Sequence, residues 1–287
     1  MNKFYIQIVL FLLSVSVYLS NKTLATQPTR RNATKTKSKN RSDTHEEIFM
    51  KNYHLLCTDS VEIKHAENLM NDVVKHLKDY AKNKDYHYQR VGKPYDHMLY
   101  FENRLKDNLT IKKMKHRVDH SNKYNETIND LWDPNGPKFF DTGDVKRKIV
   151  RVYSPNLVMI QQRYENCPLG GQKYFYALVG KVQISKDVTV IAMASGNIND
   201  HHPSTKEYKN RIIKNANLFK TDIDSEDDIR NGKLKKTVLN IGGYYVENTY
   251  YNYFDVTYVE SVSDIQILIT YFNIFLKNIV LNKCTYI

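Results

Sequence analysis

Two histidines four residues apart have the residue types of a metal site. His116 and His120 flank Asp119, and such a pair binds zinc when both side chains lie on one face of a helix. The surrounding sequence instead predicts the end of a strand followed by a turn, where the two side chains diverge. We therefore expect no metal site at these histidines.

The acidic run 222–228 contains the alternating carboxylates of a calcium loop. An EF-hand loop needs glycine at its sixth position and an acidic residue at its twelfth, and Asp227 and Lys233 occupy those positions here. The sequence also lacks the GxSxG, GxxxxGK[ST] and GxGxxG patterns of hydrolases and nucleotide-binding proteins. We expect no catalytic residue, no cofactor and no enzymatic activity.

The cysteines do not have the spacing of a zinc site, because they are odd in number and form no CxxC pair. Cys57 and Cys167 are candidates for a disulfide bridge in an oxidising compartment. Buried or free thiols are the alternative for both, and for Cys284.

The formal net charge of +12 raises the question of a nucleic-acid or anionic-membrane partner. The densest basic stretch, residues 30–41, is rich in Thr, Ser and Asn, which predicts a disordered arm. No nucleic-acid recognition module accompanies the charge, so we expect no nucleic-acid binding. We expect the arm to make transient contact with an anionic membrane surface.

The first 25 residues are predicted to be a secretory signal peptide, because a basic start precedes an apolar run at 4–19 and small residues follow at 23–25. The basic arm then occupies 26–45. A single domain is predicted for 46–287.

Strand patterns dominate the centre of the chain. Six segments carry them: 148–154, 156–164, 174–185, 189–195, 235–246 and 254–260. Three weaker strands, at 86–91, 98–105 and 109–118, are polar enough to be sheet edges. A long polar connection, residues 197–231, interrupts the series, and a loop of this length is usually functional.

Helical patterns flank the strands. Residues 62–82 place apolar side chains at i, i+3, i+4 and i+7, a short helix is predicted at 121–131 with Trp132 as a core anchor, and an apolar helix at 264–283. This order predicts an α+β fold in which a curved antiparallel sheet grips the C-terminal helix. Such a sheet does not fill its own interior, which favours an apolar cavity and a hydrophobic ligand.

Long phrases of the sequence resemble the fam-a multigene family of rodent malaria parasites, from the leader to about Ser263. The phrases are the leader 1–25, KYNE (123–126), LWDP (131–134), VYSPNLVMIQQRY (152–164), QKYFYALV (172–179), DIDSEDDIR (222–230) and DVTYVES (255–261). That family is similar to START domains, which have a helix-grip fold and carry a single lipid or sterol.

The resemblance implies secretion, export to the infected red cell or the parasitophorous vacuole, and the binding and transfer of one phospholipid, with phosphatidylcholine expected. In START domains the last helix is the lid of the cavity. The segment after Ser263 departs from the family pattern, so it is either a lid or a divergent end.

A lipid carrier needs an apolar lining and a few polar groups for the headgroup. Candidate lining residues are Val158, Ile160, Tyr174, Tyr176, Ile191, Met193 and Tyr244 in the sheet, with Leu268 and Phe272 in the C-terminal helix. Ordinary core packing is the alternative for each. Arg151 and Arg163 are candidates for pairing with a phosphate. The C-terminal helix and the connection 197–231 are candidate gates.

Two other classes of function remain open. One is a host-interaction or antigenically variable exported protein that keeps a START-like shell without a working cavity. The other is a hydrolase or cyclase, as some helix-grip proteins are, and the missing catalytic pattern argues against it. We expect a monomer.

Overall fold

The computed structural model describes residues 43–82, 88–94, 98–106, 109–135, 145–164, 171–250 and 252–263. The predicted signal peptide, nearly all of the basic arm and the C-terminal helix at 264–283 lie outside these residues. So do Leu268 and Phe272, as well as Cys167 and Cys284. Cys57 is a free, half-buried thiol.

Among the described residues, two α-helices precede the sheet. Helix α1 (His45–Lys51) begins with a capping box, in which the Thr44 hydroxyl accepts from the Glu47 amide and the Glu47 carboxylate accepts from the Thr44 amide. A 3-10 turn (Tyr53–Leu55) leads to α2 (Ser60–Lys82). The predicted helix 62–82 is thereby confirmed, because its apolar stripe is the buried one.

Within the described residues, strands form one large sheet and a small two-stranded one. The strands of the large sheet are β1 (Gln89–Arg90), β2 (Met98–Arg104), β3 (Thr110–Asp119), β4 (Val145–Ser154), β5 (Leu157–Tyr164), β6 (Lys173–Ser185), β7 (Val188–Ala194), β10 (Lys235–Lys236), β11 (Leu239–Tyr250) and β12 (Tyr253–Val262). Their spatial order is β1-β2-β3-β12-β11-β7-β6-β5-β4, all antiparallel, and β10 pairs with β6 in parallel.

Two strand predictions and one helix prediction differ in detail from the structure. The segment 235–246 is two strands, β10 and β11, rather than one. Strand β3 is not an edge strand, because β12 pairs with its other side. The helix predicted at 121–131 begins with a 3-10 turn (Ser121–Lys123), and α3 itself spans Tyr124–Trp132.

The long connection between β7 and β11 has structure of its own. It contains the parallel pair β8 (Asn197–Asn199) and β9 (Lys220–Asp222), a 3-10 turn (Lys214–Asn217) and the short helix α4 (Asp227–Arg230). Three of its apolar side chains, Phe219, Ile223 and Ile229, are at most 4% exposed. The connection therefore packs on the body of the protein as a compact cover.

Helix α2 lies directly on the sheet, and glycines allow this contact. A Cβ at Gly243 would overlap the carbonyl oxygen of Ile191 and lie 2.9 Å from the Leu77 side chain of α2. Its φ of +140° is also a conformation that favours glycine. The Gly242-Gly243 pair thus marks a close backbone approach, which is one reason for glycine in the interior of a strand.

Candidate functional site

The large sheet has two buried faces, which we name after the helices that cover them. The α2 face packs on α2 and on the long connection, and it includes Met159, Leu178 and Ile241. The α3 face packs on α1 and α3, and it includes Val179 and Val246. Directly paired residues of neighbouring strands point to the same face, so the register assigns the remaining side chains.

Five of the seven predicted lining residues of the sheet lie together on the α3 face. Val158 pairs with Val179, which pairs with Met193, while Tyr244 pairs with Ile191. Ile160 belongs to the same apolar cluster. These five side chains are between 1% and 7% exposed.

Aromatic side chains complete this apolar face. The Tyr244 and Tyr258 rings lie 5.0 Å apart, and the Tyr124 ring of α3 meets the Phe254 ring edge-on at 5.6 Å. The Tyr124 hydroxyl also bonds to the Thr189 hydroxyl at 3.2 Å, which ties α3 to the sheet. The α3 face can therefore offer an apolar wall with a few hydroxyl groups.

Tyr174 and Tyr176 lie on the opposite, α2 face, so the seven predicted residues do not line one cavity. The Tyr174 hydroxyl donates to Asp200 Oδ2 at 2.9 Å, and the Tyr176 hydroxyl accepts from Gln161 Nε2 at 2.6 Å. Burial raises the pKa of Tyr176 to about 12. Strand β6 is apolar on both sides, so its sequence alone gives no way to separate the two faces.

Arg151, a headgroup candidate, is bound by protein groups on the α2 face. Its Nη1 donates to both oxygens of Glu62 at 2.8 Å and to the Thr221 hydroxyl at 2.6 Å. Its Nη2 donates to the Asp222 carbonyl at 2.8 Å. The Tyr153 hydroxyl donates to Glu62 Oε1 at 2.7 Å, and burial raises the pKa of Tyr153. Arg151 thereby joins α2, β4 and the long connection.

Arg163, the other headgroup candidate, forms a similar clamp. Its Nη1 and Nη2 donate to the two oxygens of Asp228 at 2.6 and 3.1 Å, and its Nη2 lies 3.0 Å from Glu226 Oε2. The hydrogen bond from this guanidinium lowers the pKa of Asp228. Both arginines thus hold the long connection and lie on the face opposite the apolar wall, so neither fits the headgroup role there.

The long connection covers the α2 face and does not lie over the five lining residues. Asp200 is its central anchor, at 1% exposed, and binds Lys236 Nζ at 2.7 Å as well as Tyr174. A pocket of about 520 Å³ lies beneath the connection and is bordered by Asp200, His202 and Lys236. Its lining is mixed, with polar side chains such as Asp200 beside apolar ones such as Val238.

The sequence reasoning missed three charged residues on the α3 face: Glu102, Lys112 and Glu260. Lys112 pairs directly with Glu102 of β2 and with Glu260 of β12. No local pattern marks these residues, because the pairing of β3 with β12 joins segments far apart in the chain.

In the described ranges, no three His, Cys, Asp or Glu side chains lie close enough together to hold a metal ion. Among the same residues, no helix has the length and apolar character needed to cross a bilayer.

No protein-family model matches this chain, and no curated protein matches it. Solved structures do match. The human StAR-related lipid transfer protein 5 superposes with a TM-score of 0.50 at 9% identity, over 69% of this chain and 82% of that one. Human STARD10 gives 0.48 at 13% identity, over 73% and 76%. At this identity the first likeness shows the fold: the chain has the START-like helix-grip architecture, of α+β composition, that its element order predicts.

Proposed function

We propose that this chain is a lipid-binding protein that carries one phospholipid, phosphatidylcholine, against the α3 face of the sheet and transfers it between membranes. The observation that carries the proposal is the combination of a START-like fold with an apolar face on which five predicted lining residues lie together. The solved structure that superposes with a TM-score of 0.50 is that of a protein named as a lipid transfer protein.

Burial of acyl chains against this face supplies the binding energy. Each Å² of apolar surface removed from water contributes about 25 cal/mol, so a wall of aliphatic and aromatic side chains suffices without strong polar contacts. The polar headgroup then needs only a few well-placed side chains.

The rest of the proposal concerns the protein's route and mode of action. We propose a non-enzymatic monomer that is secreted by means of residues 1–25 and exported toward the host cell. The basic arm 26–45 would make brief contact with anionic membrane during transfer. N-terminal sequencing of the protein from culture medium tests secretion, and a mature start near Thr26 is the expected result.

A pair of variants on one strand tests the lipid site. Val179 lies on the α3 face and is 6% exposed, whereas Val182 of the same strand is 39% exposed. V179W places a large ring against the lipid and should lower lipid occupancy about tenfold or more, while V182W should leave it unchanged. Native mass spectrometry with lipid extraction measures occupancy, and thermal unfolding verifies that both variants fold.

Equal lipid occupancy in V179W and V182W, with both folded, would contradict the placement of the lipid on the α3 face. A protein that contains no lipid before or after incubation with phosphatidylcholine vesicles would contradict lipid carriage altogether.

The second candidate is an exported interaction protein with a START-like shell and no working cavity. One observation favours it: the five lining residues belong to the same buried cluster as Ile48 of α1 and Trp132 of α3, which is also how an ordinary closed core is built. The lipid-free outcome of the experiment above, with the wild-type chain folded, would select this reading.

A further inference from the structure

Three charged side chains form a row across adjacent strands of the α3 face. Glu102 of β2 pairs with Lys112 of β3, and Lys112 pairs with Glu260 of β12. Directly opposed residues of antiparallel strands have Cβ atoms about 5 Å apart, so the three side chains are neighbours. Val256 and Val262 share the face of Glu260 by strand alternation, and both belong to the α3-face cluster.

Two of the three side chains are withdrawn from solvent, and Glu102 is half-buried. Glu260 is 7% exposed, and the Lys112 Nζ is buried. Burial lowers the pKa of Lys112, while the charges of Glu260 and Glu102 act in the opposite direction. Buried ionic groups are often no more stabilising than apolar side chains of the same size. Packing alone therefore gives no reason for this charged row beside the apolar residues of the face.

The charged row continues into the apolar wall. Glu260 pairs with Gly242, Gly242 pairs with Met193, and Met193 pairs with Val179. Val179 in turn pairs with Val158. One line across the sheet thus has charged side chains at one end and predicted lining residues at the other. An amphipathic molecule lying along this line would place its polar end at Lys112 and its apolar part at Met193 and Val158.

The charges of the row indicate which polar end fits. One ammonium lies between two carboxylates, so the row offers a partner for an anion and partners for a cation within a few ångströms. Two residues before Glu260 on β12, on the same face, lies Tyr258, whose ring is 5.0 Å from that of Tyr244. The faces of tyrosine rings also attract cations. A headgroup with both charges satisfies the row, whereas a headgroup with an additional negative charge meets two carboxylates.

We propose that Glu102, Lys112 and Glu260 form the headgroup site for a zwitterionic phospholipid, an inference that rests on the proposed function. Lys112 binds the phosphodiester, and Glu260, its neighbour on the side of the apolar wall, binds the ammonium. Glu102 lies on the other side of Lys112. Arg151 and Arg163 have no part in the site, because acidic side chains of α2 and of the long connection bind them.

Two neighbouring lysines provide a matched pair of variants for the test. Lys113 follows Lys112 on β3 but points to the other face, where its Nζ donates to the Tyr80 carbonyl of α2 at 3.3 Å. K112M and K113M are therefore the same change on the same strand at opposite faces. E260Q adds a test of the cation partner. The double variant K112M/E260Q leaves the net charge of the row unchanged and replaces K112M if that variant alone folds poorly.

The experiment loads the full chain from vesicles that contain equal amounts of phosphatidylcholine, phosphatidylethanolamine, phosphatidylserine and diacylglycerol with identical acyl chains. Native mass spectrometry then gives the bound fraction of each lipid. We expect the two zwitterionic lipids to exceed the other two about tenfold in the unchanged protein and in K113M. K112M, or the double variant, should lose most of this preference over diacylglycerol, and E260Q should lose most of the preference over phosphatidylserine.

The outcomes separate the two proposals. Lipid binding with the same selectivity in the unchanged protein, K112M, the double variant and E260Q would overturn the headgroup site and leave lipid carriage intact. A preference for phosphatidylserine or diacylglycerol in the unchanged protein would also overturn the headgroup site. Binding of no lipid by any of the folded proteins would overturn both proposals.

Discussion

The Glu62 carboxylate is the point at which α2, strand β4 and the long connection meet, and its replacement by glutamine is the sharpest test of how the connection is held. Arg151 donates to both oxygens of Glu62 at 2.8 Å, and the hydroxyls of Tyr153 and Thr221 donate at 2.7 and 2.9 Å. E62Q keeps the shape of the side chain but removes its charge and half of its accepting capacity.

The cost follows from the burial of the partners. The side chains of Arg151 and Glu62 are 26% and 13% exposed, so water replaces the lost contacts only in part. A hydrogen bond to a charged group contributes about 1.5–3 kcal/mol, and breaking a fully buried pair costs about 3–5 kcal/mol. For this partly exposed network we expect E62Q to lower the free energy of unfolding by about 2–3 kcal/mol.

Urea unfolding measures the change, with E247Q as the matched control. Glu247 lies 3.0 Å from Lys82 at the other end of α2, and these side chains are 30% and 49% exposed. Exposed pairs contribute less than about 1 kcal/mol, so E247Q should cost correspondingly little. In E62Q, but not in E247Q, amide hydrogen exchange should also speed up at Asn197 and Ile223. Their amides donate to the carbonyls of Phe219 and Asn199 within the connection.

An equal loss of stability in E62Q and E247Q would refute the reasoning, because it would mean that the Glu62 network contributes no more than a surface ion pair. Unchanged exchange at Asn197 and Ile223, with E62Q destabilised, would show that the network holds α2 and β4 but not the connection.

Two further predictions concern the α2 face. Burial lowers the pKa of Lys113 from 10.5 to about 8, so between these values the unfolded chain binds more protons and the free energy of unfolding rises with pH. Allowing for solvent screening, the free energy of unfolding of the unchanged protein should rise by about 1–2 kcal/mol more than that of K113M between pH 7.5 and 10.5. Urea unfolding at several pH values measures this, and parallel pH profiles for the unchanged protein and K113M would contradict it. G243A should cost more than about 3 kcal/mol, because its Cβ overlaps the Ile191 carbonyl, whereas G92A, with φ +72° and nothing within 4 Å, should cost about 1 kcal/mol. Equal unfolding midpoints for G243A and G92A would disprove the close approach of the Gly243 and Ile191 backbones.

The sequence by itself determined the elements and their order. Helix α2 follows from the recurrence of Ala66, Leu69, Met70, Val73 and Leu77 at helical spacing, all of which are at most 4% exposed. The main strands follow from runs of β-branched and tyrosine side chains between polar turns. These signals are local, since each depends on residues close together in the chain. Their order predicted a curved antiparallel sheet that grips a helix, and the family resemblance predicted the START-like form of that fold.

Only the tertiary structure decided which residues can form the site. Tyr174 and Phe175 are neighbouring buried aromatic residues of one strand, so alternation does not show which of them faces α2 and which faces α3. Arg151 meets Glu62 across 89 positions of the chain, and nothing in the sequence near Arg151 indicates a carboxylate partner. Glu260 reaches Lys112 because β12 lies between β3 and β11. Contacts between distant segments depend on the register and packing of the whole sheet, which no local pattern of residues encodes.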